Sequence, residues 1–165
     1  MKSTVGTLLA VMLGASSVFA QLRGVSLNDQ EQIESQISTL YSNSFKVFDI
    51  VNVDSTKEPG SPAGFDDPYG SLRGCFVFVA SGRPIKGHPK AKGFWGIFKQ
   101  GQIIWHSDTL VDSKFIVSAE VFAIRDLNRD GMVDIVTTWY EGNKGHIRNV
   151  WVFSWDGQTG RLITA

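Results

Sequence analysis

The chain has 165 residues, of which 42% are hydrophobic and 19% charged. It is therefore long and apolar enough to fold around a core, and this composition excludes an intrinsically disordered chain. Its 16 lysine and arginine residues balance 16 aspartate and glutamate residues. Because no excess positive charge exists to attract a polyanion, we expect neither a nucleic acid nor an anionic membrane as a partner.

Residues 1–20 have the features of a signal peptide. Lys2 supplies a positive charge, residues 5–14 form an apolar run, and Val18-Phe19-Ala20 ends in the small residue that signal peptidase needs. The run is shorter than the roughly 20 apolar residues that span a bilayer. We therefore expect a secreted or periplasmic protein without a membrane anchor after cleavage, and one mature domain over residues 21–165.

The first predicted element of the mature chain is a helix over residues 27–42. Apolar residues recur at helical spacing along one face, at Ile33, Ile37, Leu40 and Tyr41. Asn28 and Glu31 have the spacing of a capping box, which would satisfy backbone N–H groups at the start of the helix. No other segment has a strong helical period, so we expect a single N-terminal helix.

The rest of the sequence predicts β-strands separated by turns. Runs rich in β-branched and aromatic residues are bounded by Gly, Pro, Asn and Asp. The predicted strands are residues 45–53, 75–80, 94–98, 102–105, 118–124, 135–140, 149–155 and 161–164. A Pro- and Gly-rich segment, residues 54–72, is long for a loop in a compact domain, so it is either functional or mobile.

The two halves of the mature chain resemble each other. Lys86-Gly87-His88 and Lys144-Gly145-His146 each precede an aromatic strand and a glycine-containing hairpin. Trp95 and Trp151 lie at similar places in the two strands. Each half can therefore form a four-stranded antiparallel meander, and both a duplication and a chance similarity fit this internal match.

The clearest chemical pattern lies in residues 126–134. The oxygen-bearing side chains of its D-x-N-x-D-G-x-x-D spacing are those of Asp126, Asn128, Asp130 and Asp134. Alternating side chains in a tight loop can point at one centre, and the Met132 carbonyl and water can complete the about 6–8 oxygens that calcium prefers. Gly131 permits the sharp turn, and magnesium requires a stricter octahedron, so calcium is favoured. The alternative is an Asx-rich turn that holds no metal.

The same spacing begins an EF-hand, but the flanking sequence argues against that motif. An EF-hand needs a helix on each side and a bidentate Glu at its twelfth loop position, which is Thr137 here. Residues 121–124 and 135–139 are instead rich in β-branched and aromatic side chains. The sequence therefore predicts a calcium loop that joins two strands.

Residues 122–136, with the sequence FAIRDLNRDGMVDIV, resemble the FG-GAP/VCBS repeat of β-propellers, and the similarity extends over residues 118–163. In that family an acidic loop between the first two strands of a blade binds calcium. The resemblance implies a backbone ligand at Met132 and side-chain ligands at Asp126, Asn128, Asp130 and Asp134. The family usually has Gly where this sequence has Arg129.

A propeller needs several blades, and this sequence offers one clear repeat and one weaker half. The expected fold is therefore mainly β, with one or two propeller-blade-like, four-stranded antiparallel meanders packed as a sheet or sandwich. One N-terminal α-helix would cover this β domain.

Several other residues have a chemical and a structural interpretation. The five tryptophans either form an exposed row for a sugar ring or a protein, or pack between two sheets, and we favour packing: Trp95, Trp105, Trp139, Trp151 and Trp155. The histidines lack metal-binding spacing and are expected in surface turns: His88, His106 and His146. Cys75 is expected as a buried hydrophobe in preference to a nucleophile. Residues 65–70 form either a second acidic site, a recognition loop or a solvated loop, and we favour the solvated loop.

The expected function is that of an exported calcium-binding module whose ion is structural and whose partner is an extracellular protein or glycan. A small secreted hydrolase with dispersed carboxylates and a fragment of a larger propeller protein are the alternatives. A role without catalysis is favoured because the sequence has no nucleophile elbow, phosphate loop or dinucleotide-binding motif in strand–turn–helix context. The oligomeric state is left open.

Overall fold

The computed structural model describes residues 24–40, 45–55, 70–83, 89–142 and 147–164, with residues 147, 148 and 164 described by their backbone alone. These residues form helix α1 (Leu27–Leu40) and strands β1 (Phe45–Asn52), β2 (Cys75–Gly82), β3 (Ala91–Lys99), β4 (Gln102–His106), β5 (Val111–Ser113), β6 (Ile116–Arg125), β7 (Val133–Glu141), β8 (Ile147–Trp155) and β9 (Gly160–Thr164). Two short 3-10 helices cover Val53–Ser55 and Gly70–Leu72. The signal-peptide segment, most of the 54–72 loop and both Lys-Gly-His segments lie outside the described residues.

The start of α1 is capped by Ser26. Its hydroxyl oxygen accepts the Asp29 N–H at 3.1 Å, and the hydroxyl donates to the Asp29 carboxylate at 2.5 Å. The bond from the Asp29 N–H to the Ser26 hydroxyl is the N-cap half of a capping box. The predicted box at Asn28 and Glu31 is wrong, because the helix begins at Leu27 and both residues lie inside it.

Helix α1 covers one face of a β-sheet. Ile33 and Ile37 are fully buried against an apolar cluster whose sheet residues are Ile50, Phe78, Ala80, Phe94 and Phe98. Gln36 adds a polar link, because its side-chain NH₂ donates to the Gly101 carbonyl at 2.5 Å and its oxygen accepts the Ile103 N–H at 2.8 Å. The helix is thereby fixed to the turn between β3 and β4.

The strands form two antiparallel sheets. The first has the order β1-β2-β3-β4, and β5 pairs with residues 91–93 of β3, which β4 leaves unpaired. The second is a meander in the order β6-β7-β8-β9. The prediction of a mainly β protein with antiparallel meanders and one helix is confirmed, whereas β5 was not predicted. Neither sheet closes on itself within the described residues.

The main core lies between the two sheets. Three tryptophans are buried and two are partly buried against the same cluster: Trp95, Trp139 and Trp155, and Trp105 and Trp151. The Trp95 ring centroid lies 4.6 Å from that of Trp105 and 5.1 Å from that of Phe153. The interpretation of the tryptophans as core residues is confirmed.

The spacing of the sheets depends on a close approach at Gly93 of β3. A Cβ atom built there would lie 2.5 Å from the Trp139 ring of β7, which is closer than van der Waals contact allows. The ring is fully buried, and its indole N–H donates to the Thr137 hydroxyl at 3.1 Å, so it has little room to move. A residue without a side chain is therefore required at position 93.

We expect Gly93→Ala to lower the free energy of unfolding by about 1–3 kcal/mol, because the new methyl group overpacks the core. Urea denaturation followed by tryptophan fluorescence measures the change. Gly70→Ala is the matched control, since a Cβ there meets no described atom within 4 Å, and it should shift stability by no more than about 0.5 kcal/mol. Equal midpoints for the two variants would contradict this account of the core.

Candidate metal centre

The acidic loop, residues 126–134, connects β6 to β7. Both neighbours are β-strands, and Thr137 lies fully buried within β7. The prediction of a strand-to-strand loop in place of an EF-hand is therefore confirmed. The pairing of β6 with β7 continues as far as Arg125 and Asp134, so the loop directly connects the paired ends of these two strands.

The carboxylate of Asp126 organises the first half of the acidic loop. Its Oδ1 accepts the Arg129 N–H at 2.6 Å and the Asp130 N–H at 3.2 Å, and its Oδ2 accepts the Gly131 N–H at 2.9 Å. One side chain thus satisfies three consecutive backbone donors, which is how an Asx turn folds a short loop. The loop is compact around Asp126 for this reason.

Asn128 and Asp130 organise the second half. The side-chain carbonyl of Asn128 accepts the Asp130 N–H at 3.1 Å, and the side-chain NH₂ of Asn128 donates to Asp130 Oδ2 at 2.9 Å. Asp130 Oδ1 accepts the Met132 N–H at 2.8 Å. The hydrogen bond from Met132, followed by that from Asn128, lowers the pKa of the exposed Asp130 carboxyl. Asp130 is therefore held as an anion.

Two residues of the acidic loop have left-handed backbone conformations. Gly131 has φ +84°, as its predicted role in the sharp turn requires, and Arg129 has φ +62°. Arg129 lies where the FG-GAP/VCBS repeat, to which the sequence was compared above, usually has glycine. Its side chain is exposed, so the loop accommodates the larger residue at the cost of some backbone strain.

Asp134 differs from the other three oxygen-bearing residues because it is buried. It is 1% exposed at the start of β7, and its Oδ2 accepts the Leu127 N–H at 2.9 Å. Its Oδ1 is also buried and has no hydrogen-bond partner among the described residues. A buried carboxylate oxygen without a partner costs free energy, so this atom needs a cation or a donor that the rest of the described chain does not provide.

A second buried oxygen lies beside Asp134. Ser154 of β8 is the direct cross-strand partner of Asp134, is 2% exposed, and has a hydroxyl without a hydrogen-bond partner in the described structure. Ser154 could not be predicted from the sequence as part of this site, because only the β7–β8 register brings it to the acidic loop. The strand alternation alone would place it on either face.

The structure brings the five predicted ligand residues into one loop, but it does not point their carboxylates at one centre. No group of three or more acidic, histidine or cysteine side chains is arranged to hold a metal ion in the ranges that the structure describes. Asp126 and Asp130 are turned toward the N–H groups of the loop, and Met132 is half-buried. Arg161 adds an opposing charge, since its guanidinium contributes to the lowered pKa of Asp130. The calcium site stays a prediction.

The remaining candidate residues are placed away from the acidic loop or outside the described residues. Cys75 is fully buried, and burial raises the pKa of its thiol, so its interpretation as a small hydrophobe is confirmed. His106 is exposed at the end of β4, beside the Ser107 carbonyl. His88, His146 and residues 65–69 lie outside the described residues.

Comparison with known proteins leaves the chain without an assigned relative. No protein-family model, no curated protein and no solved structure matches it. The similarity to the FG-GAP/VCBS repeat therefore rests on the residues of the acidic loop and its flanking strands.

The stability of the calcium-free protein should depend on the ionisation of Asp130. Because its folded pKa lies below its ordinary value of 3.8, its contribution is fully present above the unfolded pKa and is lost as pH falls through the folded pKa. We expect the urea midpoint of wild type to exceed that of Asp130→Asn at neutral pH, and the difference to vanish between about pH 5 and pH 2. Asp112→Asn, on β5, is the control. A difference that persists at low pH would show that the charge is irrelevant.

Proposed function

We propose that this protein is an exported calcium-binding module in which residues 126–134 bind one structural calcium ion. The ligands would be the side chains of Asp126, Asn128, Asp130 and Asp134 and the backbone carbonyl of Met132. The observation that carries the proposal is the buried Oδ1 of Asp134, which lacks a hydrogen-bond partner in the described structure. A divalent cation with hard-oxygen preference would compensate this atom.

The hydrogen bonds already present in the acidic loop are compatible with a bound ion. A carboxylate has about four lone-pair sites, so an oxygen that accepts a backbone N–H can also coordinate calcium. The turns around Asp126 and Asp130 would then remain, and small side-chain rotations would bring their oxygens toward Asp134. A loop backbone that is already folded into these turns loses less conformational entropy on binding.

The ion would act as a clamp between β6 and β7. Extracellular calcium modules commonly bind with dissociation constants of about 10⁻⁴–10⁻³ M, which suits a structural ion in a calcium-rich environment. Residues 1–20 support export, and no helix in the described residues is long and apolar enough to cross a membrane. In this proposal, the second sheet is the four-stranded, blade-like unit of an FG-GAP/VCBS repeat.

The partner of the module is proposed to be an extracellular protein or glycan, and a protein is favoured. A sugar ring stacks on exposed aromatic faces, but the tryptophans are packed between the sheets. Exposed apolar residues instead lie on β6 and at its start, with Phe122 61% and Val117 51% exposed. Such side chains are typical of protein contacts.

We expect the hydrolase alternative to need carboxylates outside the acidic loop, because the Asp126 and Asp130 carboxylates accept hydrogen bonds from backbone N–H groups of the loop.

Calcium should stabilise the protein. For 10 mM calcium and a dissociation constant of about 10⁻⁴–10⁻³ M, linkage gives about 1.4–2.7 kcal/mol, or a rise in Tm of about 3–10 °C for a domain of this size. Differential scanning calorimetry with calcium, magnesium or a chelator measures it. Asp130→Ala should remove the calcium shift, whereas Asp156→Ala, in the β8–β9 turn, should keep it. An unchanged Tm in calcium, or an equal shift with magnesium, would refute the proposal.

Asp134→Asn provides a test that separates the metal from the fold. The amide can still accept the Leu127 N–H, and it removes an uncompensated buried charge, so we expect the calcium-free variant to be more stable than wild type by about 1–3 kcal/mol. The same variant should lose its stabilisation by calcium. If Asp134→Asn instead destabilises the calcium-free protein and still responds to calcium, Asp134 is a structural residue and not a ligand.

A further inference from the structure

A groove of about 290 Å³ lies at the end of the sandwich opposite the acidic loop. It is bordered by the start of β1, the end of β2 and the start of β6, whereas the acidic loop follows the end of β6. We call it the inter-sheet groove and define it by its aromatic and basic residues, Phe45, Phe48, Phe115, Lys46, Arg83 and Lys114. Its size is close to the lower limit for small-molecule sites.

The inter-sheet groove combines an apolar wall with positive charge. Its three phenylalanines are partly exposed, and none of the other described residues that line it is acidic. The Lys46 ammonium lies 4.6 Å from the Phe48 ring centroid, and the Lys114 ammonium lies 5.4 Å from that of Phe115. Each cation is therefore held beside an apolar surface. In a protein with equal numbers of acidic and basic residues, this is a local excess of positive charge.

The segment that forms one side of the groove is fixed by hydrogen bonds. The chain crosses there from β5 of the first sheet to β6 of the second, through Lys114 and Phe115. The Ser113 hydroxyl oxygen accepts the Phe115 N–H at 3.3 Å, and the Phe115 carbonyl accepts the Gly142 N–H at 3.0 Å. A pre-formed wall reduces the entropy that a ligand would have to offset on binding.

We propose that the inter-sheet groove binds a small amphipathic organic anion, with a carboxylate or sulfonate attached to an aromatic or branched apolar body. The apolar body would lie on the phenylalanine rings, and the anionic group would pair with Lys46 and Lys114. Charge complementarity selects the anion, since a neutral ligand would gain only the apolar contact. This site is independent of the calcium proposal, because it shares no residue with the acidic loop.

Two fluorescent dyes test this proposal on the full chain: anilinonaphthalene sulfonate, which is anionic, and phenyl naphthylamine, which has the same ring system without the sulfonate. We expect Lys46→Gln/Lys114→Gln to raise the dissociation constant of the anionic dye roughly fivefold or more and to change that of the neutral dye by less than about twofold. Lys99→Gln, at the far end of β3, should change neither. Phe115→Ala should weaken both.

Comparison between variants removes the contribution of dye bound elsewhere on the chain. Added salt should weaken the anionic dye selectively, because it screens the lysine charges. Retained affinity of the anionic dye in the double lysine variant would overturn the proposal. Equal losses for the two dyes in that variant would overturn it as well, since the groove would then recognise apolar surface alone. Circular dichroism of each variant checks that the fold is preserved.

Discussion

The contact between the Trp139 ring and the backbone at Gly93 is a very close approach between the two sheets, and it fixes β7 against β3. It requires β7 to lie deep in the molecule, and β7 is buried on both faces along most of its length. A strand buried along most of its length is a rigid support for the side chains of its first residues. Asp134, at the start of β7, is therefore fixed by the core, and through the Leu127 N–H it fixes the beginning of the acidic loop.

The balanced net charge of the chain conceals two local imbalances at opposite ends of β6. The acidic loop itself contains three carboxylates and one basic residue, Arg129, whereas the described lining of the inter-sheet groove has three basic residues and no acidic one. Neutrality argues against a polyanion, because such a partner needs a positive field over a wide surface. It says nothing about a small ion, which responds to charges within about one Debye length of about 10 Å.

The sequence predicted the elements whose residues carry a strong period, and it predicted the acidic loop because its pattern is contiguous. It could not predict β5, since three residues are too few to show a period and pairing with β3 alone makes them a strand. Ser154 was missed because its position beside Asp134 depends on strand register. The inter-sheet groove was missed because Phe48 and Phe115 are distant in sequence and meet only after the sheets pack.

The seam between β1 and β6 explains why the chain forms two sheets and not one continuous sheet. These edge strands lie side by side, yet each has a register irregularity, between Val47 and Asp49 in β1 and between Val121 and Ala123 in β6. At the seam the Asp49 carboxylate accepts the Val121 N–H at 3.0 Å, so a side chain takes the place of a strand partner. A charged group on an edge strand prevents ladder pairing. Because of the irregularity at Phe48, its ring packs on the inter-sheet core while the Asp49 side chain reaches β6. The same irregularity therefore separates the two sheets and places Phe48 in the wall of the inter-sheet groove.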